Sequence, residues 1–421
     1  MLKLPHIVVF STLFPNAVQP GAGVFIRERM FRVAKQLPLM VVAPVPWFPF
    51  QGLIRIFRPH FRPEPPYREK VDGIEVLHPR FFSIPGLFKR LDGFFLALST
   101  FHLMRRLQRE QRCDIIDSHF AYPDGYAASL LGRWMTVPFT VTLRGTESRL
   151  VKQAVFRKRM RVALKSAARV FSVSDSLRQI ALALGVPASQ VQVVGNGVDM
   201  AKFHLVDKIQ ARASLGLPLD APVLISIGGL VERKGFHRVI DCLPALILDF
   251  PNLHYLIVGG PSPEGDIGAQ LRDQVSRLNL GQHVIFTGAM KSEVLKVPLS
   301  AADVFVLATS NEGWANVFLE AMACGLPVIT TDVGGNAEVV SQAELGRIVP
   351  FGDQEALQCA LLTALKQGWD KDKIMGYARE NAWDTRVSRL VDEFQEVAKL
   401  NAVAKPCVFS EVACKESNTC H

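Results

Sequence analysis

Short apolar runs alternate with amphipathic helical stretches along almost the whole chain, and this alternation limits the possible folds more than any other feature. Each run is rich in β-branched residues and precedes a glycine-containing or polar turn. Buried strands that alternate with helices are typical of parallel sheets with helices on both faces. The sequence therefore predicts an α/β fold. The runs lie at residues 6–10, 38–44, 73–79, 114–120, 138–143, 169–174, 191–195, 221–228, 253–260, 283–288, 303–309, 326–332 and 346–350.

The runs form two series that separate near residues 196–220. A chain of 421 residues is longer than one hydrophobic core usually supports. We therefore predict two facing Rossmann-like domains, 1–198 and 199–383. Parallel sheets of this kind bind ligands at the carboxyl ends of their strands, so the cleft between the domains is the expected site.

Several segments lie outside this pattern. Residues 44–70 are rich in Pro, Phe and Arg without periodicity and are predicted to form a long loop. The stretch 91–104 is too short and too polar to span a bilayer. Residues 384–400 are predicted to form a helix, and residues 401–421 a disordered tail. The tail cysteines are irregularly spaced, so no metal site is predicted, although their role stays open.

Charge is distributed unevenly between the two halves. Residues 1–200 carry 28 Lys and Arg against 13 Asp and Glu, a net charge of +15, whereas the whole chain carries +9. We expect a cytoplasmic protein whose first half binds an anionic partner. The basic helical segment 151–165 is a candidate for peripheral attachment to an anionic membrane. The alternative, a solvated helix whose apolar face packs in the core, is compatible with that role. No nucleic-acid partner is expected.

The segment 311–327, NEGWANVFLEAMACGLP, carries the most functional information. It places Glu312 beside a Gly-Trp turn and Glu320 inside an apolar helical run. The free backbone N–H groups at the helix start, near Asn316 and Val317, can hold a phosphate. Carboxylates on either side of that anion can accept hydrogen bonds from sugar hydroxyls. The segment therefore predicts a sugar-nucleotide site.

Glycine turns after three strands allow the backbone to approach a ligand closely. The glycines assigned to donor binding are Gly21, Gly23, Gly228, Gly229 and Gly259. No turn has the full GxGxxG pattern, so a dinucleotide cofactor is not predicted. Arg233 and Lys234 follow the second of these turns, where two cations suit a diphosphate. A solvated turn is the alternative for this pair.

Polar residues also follow strands of the first half. His119 lies just past a strand end, where a histidine can bind the donor sugar or an acceptor hydroxyl, or can have a structural role. Asp124 follows in the same motif. Arg144 ends the next strand. Asp124 and Arg144 are assigned to the acceptor region.

Taken together, these motifs resemble the retaining glycosyltransferases of family four, which have the GT-B fold. The resemblance extends from Pro15 to about Leu400. Its strongest parts are VVGNGVDMAKF (193–203), GGLVERKGF (228–236), the stretch 311–340 and NAWDTRVSRL (381–390).

This resemblance implies specific roles for the candidate residues. Glu320 would bind the ribose, Glu312 the transferred sugar, and the backbone from Gly313 to Val317 the phosphates. The diphosphate would be stabilised by Arg233 and Lys234, and His119 would lie beside the reacting sugar. The resemblance also implies that no metal or cofactor is needed and that the C-terminal helix crosses back onto the first domain.

The chain departs from the family pattern at two places. Gly228-Gly229 stands where members often have Gly-Arg, which shifts cationic charge onto Arg233 and Lys234. Arg144-Gly145 replaces a common His-Gly, which weakens inference about the acceptor.

The expected function is transfer of a sugar from a nucleotide diphosphate sugar, with retention of configuration, to a saccharide or lipid-linked acceptor in polysaccharide or glycolipid synthesis. A sugar-nucleotide epimerase of the same fold and a non-catalytic saccharide-binding module are the alternatives. The donor sugar, base, acceptor, linkage and oligomeric state stay open.

Overall fold

A large mixed sheet forms the centre of the first domain. The computed structural model describes residues 4–57, 61–262 and 264–404, with side chains to residue 401. The strands of this domain are β1 (Ile7–Phe10), β2 (Leu39–Val42), β3 (Val45–Trp47), β4 (Arg68–Val71), β5 (Ile74–Leu77), β6 (Arg80–Phe82), β7 (Ile115–His119), β8 (Phe139–Leu143), β9 (Arg169–Ser172) and β10 (Val191–Val193). Eight of them pair in the order β10-β9-β8-β7-β1-β2-β5-β4, with only β4 antiparallel to its neighbour. Strands β3 and β6 form a separate parallel pair.

Helices cover both faces of this sheet. They are α1 (Val24–Val33), α2 (Gln51–Phe57), α3 (Asp92–Arg109), α4 (Tyr126–Met135), α5 (Glu147–Leu150), α6 (Ala154–Ser166) and α7 (Asp175–Ala183). Strands β1, β7 and β8 are buried at every residue. Burial on both faces explains why β1 is a continuous apolar run, without the alternation of a half-exposed strand.

The second domain repeats the arrangement with a fully parallel sheet. Its strands are β11 (Val223–Ile227), β12 (His254–Val258), β13 (Val284–Gly288), β14 (Val304–Leu307), β15 (Val328–Thr331) and β16 (Gly346–Val349), in the order β13-β12-β11-β14-β15-β16. Its helices are α8 (Lys208–Ser214), α9 (Phe236–Asp249), α10 (Gly268–Arg277), α11 (Lys296–Ala301), α12 (Asn316–Ala323), α13 (Asn336–Val339), α14 (Gln354–Lys366) and α15 (Lys371–Glu380). The predicted α/β fold with two Rossmann-like sheets is confirmed.

The C-terminal helix α16 (Trp383–Ala404) returns to the first domain and packs beside α1. The ring of Phe394 is fully buried and lies 5.7 Å from that of Phe171, centroid to centroid. Arg169 Nε donates to Glu393 Oε2 at 2.9 Å. Helix α16 follows the second domain in the chain but is part of the hydrophobic core of the first domain.

Two sequence expectations differ from the structure. The predicted loop 44–70 contains β3, α2 and the start of β4. These elements are short, and α2 exposes Leu53, Ile56 and Phe57, so no core-facing periodicity marks them in the sequence. The predicted start of the tail at residue 401 is wrong, because residues 401–404 continue α16. Residues 405–421, including the tail cysteines, lie outside the described part.

Within the described ranges, no helix is both long and apolar enough to cross a membrane.

Candidate active site

The carboxyl ends of both sheets face one cleft, and the two domains touch there. A Cβ atom added to Gly313 would lie 2.4 Å from Arg144 O and 2.9 Å from the Cα of Gly145. Asn196 Nδ2 donates to Asn316 Oδ1 at 2.8 Å. The loop before α12 therefore meets the loop after β8 by backbone contact, which only glycine permits at this distance.

Arg233 and Lys234, in the short 3₁₀ turn after β11, converge on Glu312. Lys234 Nζ lies 2.6 Å from Glu312 Oε1, and Arg233 Nη1 donates to the same oxygen at 3.1 Å. Glu264 accepts two further hydrogen bonds from Arg233 at 2.6 and 2.9 Å. The hydrogen bonds to Glu264, opposed by burial, raise the pKa of Arg233. The structure thus brings together three residues predicted from two distant motifs.

A positive φ angle at Gly235 makes this convergence possible. Its φ is 76°, and a Cβ atom there would lie 1.9 Å from Ala308 O. Because a side chain has no room, the turn that carries Lys234 lies directly against the end of β14. The Arg-Lys pair is therefore held at the cleft and does not form a freely solvated turn.

Helix α12 places Glu320 one turn beyond its start. The N-cap residue, Ala315, has no side chain that could accept a hydrogen bond from the helix. The first N–H groups of α12 therefore remain available to an anion. The half-buried Glu320 lines a cavity of about 220 Å³ together with Glu28 and Lys202. Burial, reinforced by the charge of Glu28, raises the pKa of Glu320 to about 7.

Four of the predicted donor glycines line one cavity of about 460 Å³. They are Gly21, Gly228, Gly229 and Gly259. A Cβ atom on Gly259 would lie 1.8 Å from Gly228 O, so this close pairing of two turns requires glycine. Gly23 lies outside the cavity lining, at the start of α1 with a φ of 67°.

His119 differs from the expectation of a side chain beside the sugar. It is the last residue of β7 and is fully buried. Its Nδ1 accepts from Arg144 Nη2 at 3.0 Å, and its Nε2 lies 3.3 Å from Asp117 Oδ2. Burial, partly offset by the charge of Asp117, lowers the pKa of His119 to about 4. The ring is thus neutral and supports Arg144, which lies between it and the cleft residue Asn196.

Asp124, which we assigned to the acceptor region, is also fully buried. Its carboxylate accepts from Thr12 N at 3.0 Å, from Thr12 Oγ1 at 2.9 Å and from Ser11 Oγ at 3.3 Å. Burial raises its pKa to about 7. Asp124 therefore shapes the loop after β1, and it presents no atom to the cleft in this structure.

The sequence gives no indication of the roles of Asn196 and Glu147, which help to hold the loop after β8 at the contact between the domains. Arg144 Nη1 donates to Asn196 Oδ1 at 2.9 Å, which extends the chain of hydrogen bonds from His119 to Asn316. Buried Glu147 accepts from the backbone N–H groups of Ala121, Arg144 and Gly145 at 2.9, 3.2 and 2.8 Å. Glu147 ends the sequence TLRGTE at residues 142–147. The spacing of these residues does not indicate that three backbone N–H groups converge on the Glu147 carboxylate.

Glu338 makes a second contact between the domains. Its carboxylate accepts from Asp175 N at 2.6 Å and Ser176 N at 3.1 Å. These N–H groups lie at the start of α7, where a negative charge is favourable. The only signal in the sequence was its place after Gly334-Gly335.

Within residues 4–57, 61–262 and 264–404, no group of three His, Cys, Asp or Glu side chains is arranged to hold a metal ion.

Comparison with protein families finds two models that divide the chain in the same way as the fold. The model described as Glycosyltransferase Family 4 matches residues 54–202, and the model described as Glycosyl transferases group 1 matches residues 207–382. The boundary between them follows β10.

Relatives in sequence and in structure match over most of their length. The putative teichuronic acid biosynthesis glycosyltransferase TuaC of Bacillus subtilis is 29% identical, over 86% of this chain and 90% of its own. A D-inositol 3-phosphate glycosyltransferase of Geodermatophilus obscurus is 27% identical, over 81% and 79%. The structure of Anabaena HepE in complex with UDP matches with a TM-score of 0.70 and 19% identity, over 93% of this chain and 99% of its own. Sucrose-phosphate synthase of Thermosynechococcus elongatus matches with a TM-score of 0.71 and 20% identity, over 94% and 100%.

We predict that His119 makes the protein sensitive to acid. Its pKa is lowered on folding, so the stability that it contributes is complete above pH 6.5 and is lost as the pH falls towards 4. Relative to His119→Gln, the wild type should lose about 2 kcal/mol of unfolding free energy between pH 7 and 4.5. Urea denaturation at each pH measures this difference.

The exposed His102 provides the matched control. His102→Gln should follow the wild-type pH dependence. Parallel curves for the wild type and His119→Gln would show that the buried ring gains a proton without cost.

Proposed function

Because the chain is a family-four glycosyltransferase with the GT-B fold, we propose that it transfers a sugar from a nucleoside diphosphate sugar to a saccharide, with retention of anomeric configuration. The acceptor in this proposal is lipid-linked and belongs to polysaccharide or glycolipid synthesis. The observation that carries the proposal is the convergence of Arg233 and Lys234 on Glu312 beside the uncapped start of α12.

The diphosphate of the donor would lie between this cation pair and α12. Two side-chain cations and the free N–H groups of the helix supply positive charge where the leaving phosphate becomes more negative. Glu312 holds both cations from one side, so they are oriented before the donor binds. Its position at the edge of the anion site suits a contact with the transferred sugar.

The nucleoside would occupy the second domain. Glu320 is assigned to the ribose hydroxyls, and the glycine-lined cavity is large and apolar enough for a base. HepE is described in complexes with UDP and with UDP-glucose. A UDP-sugar is therefore the first donor to test, followed by GDP- and ADP-sugars in a thermal-shift screen.

We propose front-face displacement for the chemical step. The departing phosphate oxygen accepts the proton of the acceptor hydroxyl, while Arg233 and Lys234 stabilise its charge. Glu312 then has a positioning role and forms no covalent intermediate. The neutral, buried His119 supports the cleft through Arg144 and Asn196, and it does not transfer the proton.

The alternative of a sugar-nucleotide epimerase needs no acceptor. Incubation with donor alone separates the two functions, since an epimerase converts the donor sugar and a transferase does not. A non-catalytic saccharide-binding module would leave the donor unchanged under all conditions.

The basic segment 151–165 supports peripheral attachment to an anionic membrane. In the structure it forms the turn after α5 and most of α6. Met160, Ala163 and Leu164 pack in the core, whereas Arg157, Lys158 and Arg161 are exposed. Arg159 differs from these, because its guanidinium lies over the rings of Tyr122 and Tyr126. Both roles considered for this helix are therefore compatible.

Lys234→Ala should remove most turnover. Loss of one cation at the leaving diphosphate is expected to lower kcat/KM by about 10²- to 10³-fold, measured with the donor selected by thermal shift. Lys373→Ala, at an exposed position of α15, is the matched control and should retain activity. Near-normal kcat/KM for Lys234→Ala would exclude the proposed role.

Activity should be unchanged after dialysis against EDTA, because protein cations and helix N–H groups are proposed to neutralise the diphosphate without a metal. Initial rates before and after dialysis, and after Mg²⁺ or Mn²⁺ is restored, test this. Strict dependence on the added ion would contradict the mechanism.

Replacement of Arg157, Lys158 and Arg161 by Gln should weaken flotation with vesicles that contain phosphatidylglycerol, and wild-type binding should fall with salt. Phosphatidylcholine vesicles should bind neither the wild type nor this variant. A triple Gln variant at the exposed positions Arg277, Lys291 and Lys373 removes the same charge from the second domain and should float normally. Equal flotation of both variants would remove α6 from the proposal.

A further inference from the structure

The glycine-lined cavity of about 460 Å³ is called the donor cavity below. Beside it, at the carboxyl ends of β1, β2 and β5, a second cavity of about 450 Å³ opens. The lining includes Asn16, Gln19, Trp47, Gln51, Glu64 and Arg80. Apart from Gln19, none of these residues lines the site described above. The cavity combines an aromatic ring with amide, carboxylate and guanidinium groups, which is the side-chain chemistry that binds sugar rings.

Gln51 is the observation that indicates a ligand. Its side chain is 3% exposed, and its Nε2 donates to Glu64 Oε1 at 2.9 Å. Its Oε1 has no hydrogen-bond donor within the described residues. A buried amide oxygen without a donor is costly, whereas a hydroxyl group in the cavity would satisfy it.

Other contacts hold Glu64 in place. Its Oε1 accepts from Arg55 Nη2 at 3.0 Å, and its Oε2 accepts from Arg80 Nη2 at 2.9 Å. The carboxylate is therefore oriented by two guanidinium groups before any ligand arrives. A fixed carboxylate and amide beside an aromatic ring form a built polar site rather than a chance surface depression.

The cavity adjoins the donor cavity directly. Gln19 and Ala22 line both of them. The loop that carries Gln19 is held by Asn16 Oδ1, which accepts from Val18 N at 3.1 Å and Gln19 N at 2.8 Å. A molecule in the second cavity would therefore lie across one short loop from the donor.

Exposed apolar side chains follow the cavity residue Gln51 in the chain. Helix α2, which begins at Gln51, exposes Leu53 (60%), Ile56 (71%) and Phe57 (85%), and the preceding Phe50 is 82% exposed. Such a group of large apolar side chains on one short helix costs free energy in water unless another apolar group covers it. Its position beside the cavity indicates that the cover belongs to the same ligand.

We propose that this cavity is the acceptor subsite, and that its ligand is an amphipathic glycoside. The saccharide lies against Trp47 and Gln51, and the apolar aglycone covers Leu53, Ile56 and Phe57. This inference rests on the proposed transferase function, and it assigns the residues and the substrate class of the acceptor side.

Equilibrium binding of methyl and octyl β-glycosides tests the assignment. The glycosides of glucose, galactose and N-acetylglucosamine are titrated below the critical micelle concentration and followed by saturation-transfer difference NMR, with and without UDP. The wild type should bind an octyl glycoside about tenfold more tightly than its methyl counterpart, through the added apolar burial. Absence of binding by every glycoside overturns the proposal.

Variants separate the two parts of the ligand. Trp47→Ala should weaken both glycosides about tenfold, and Gln51→Met should weaken both by removing the amide oxygen. Leu53→Ser/Ile56→Ser should abolish only the octyl advantage. Unchanged affinities in Trp47→Ala and Gln51→Met overturn the saccharide assignment, and a retained octyl advantage in the double variant overturns the aglycone assignment.

Matched controls replace the same residue types elsewhere in the first domain. Trp134→Ala and Gln36→Met, at exposed positions, should leave glycoside binding unchanged. Thermal shift with UDP is measured on every protein. A wild type that binds no glycoside but shows a normal UDP shift contradicts the acceptor subsite alone. A wild type without a thermal shift for UDP, GDP or ADP contradicts the proposed function and leaves the glycoside titrations interpretable.

Discussion

The close approach of two backbone segments across the cleft determines the geometry of the site. Gly313 lies against Arg144 O and the Cα of Gly145, where a single added carbon would collide. This contact places the start of α12 beside the loop after β8. The hydrogen bond between Asn196 and Asn316 and the two bonds to Glu338 then join the domains at neighbouring points. The donor site therefore depends on a distance that only glycine allows.

Electrostatic complementarity organises the residues around this contact. Glu312 meets two cations and is oriented by them, whereas burial, reinforced by the charge of Glu28, raises the pKa of Glu320 to about 7. Two glutamates eight positions apart in one motif thus lie in different surroundings, since one faces the Arg-Lys turn and the other a half-buried cavity.

Much of the fold was predictable because both sheets are buried on two faces. Strands such as β8 and β11 are buried at every residue and mostly apolar, and a glycine follows each of them within two residues. The segment 44–70 escaped prediction for the opposite reason. Its helix α2 exposes its apolar residues, and β3 pairs only with β6 outside the main sheet. The local sequence pattern therefore does not predict elements such as α2, whose apolar residues do not face the core.

The sequence by itself determined the α/β architecture, the family and the residue types proposed for the donor site, because strand periodicity and the spacing of Glu312 and Glu320 are local properties of the chain. The tertiary structure alone decided which groups reach the cleft. His119 and Asp124 follow or end strands as expected, yet both are fully buried. Their burial depends on residues far away in sequence, such as Arg144 and Thr12, which cover them only after the sheet has formed. Contacts between residues that are far apart in the sequence give no periodic pattern, because the number of residues between the partners differs from one contact to the next.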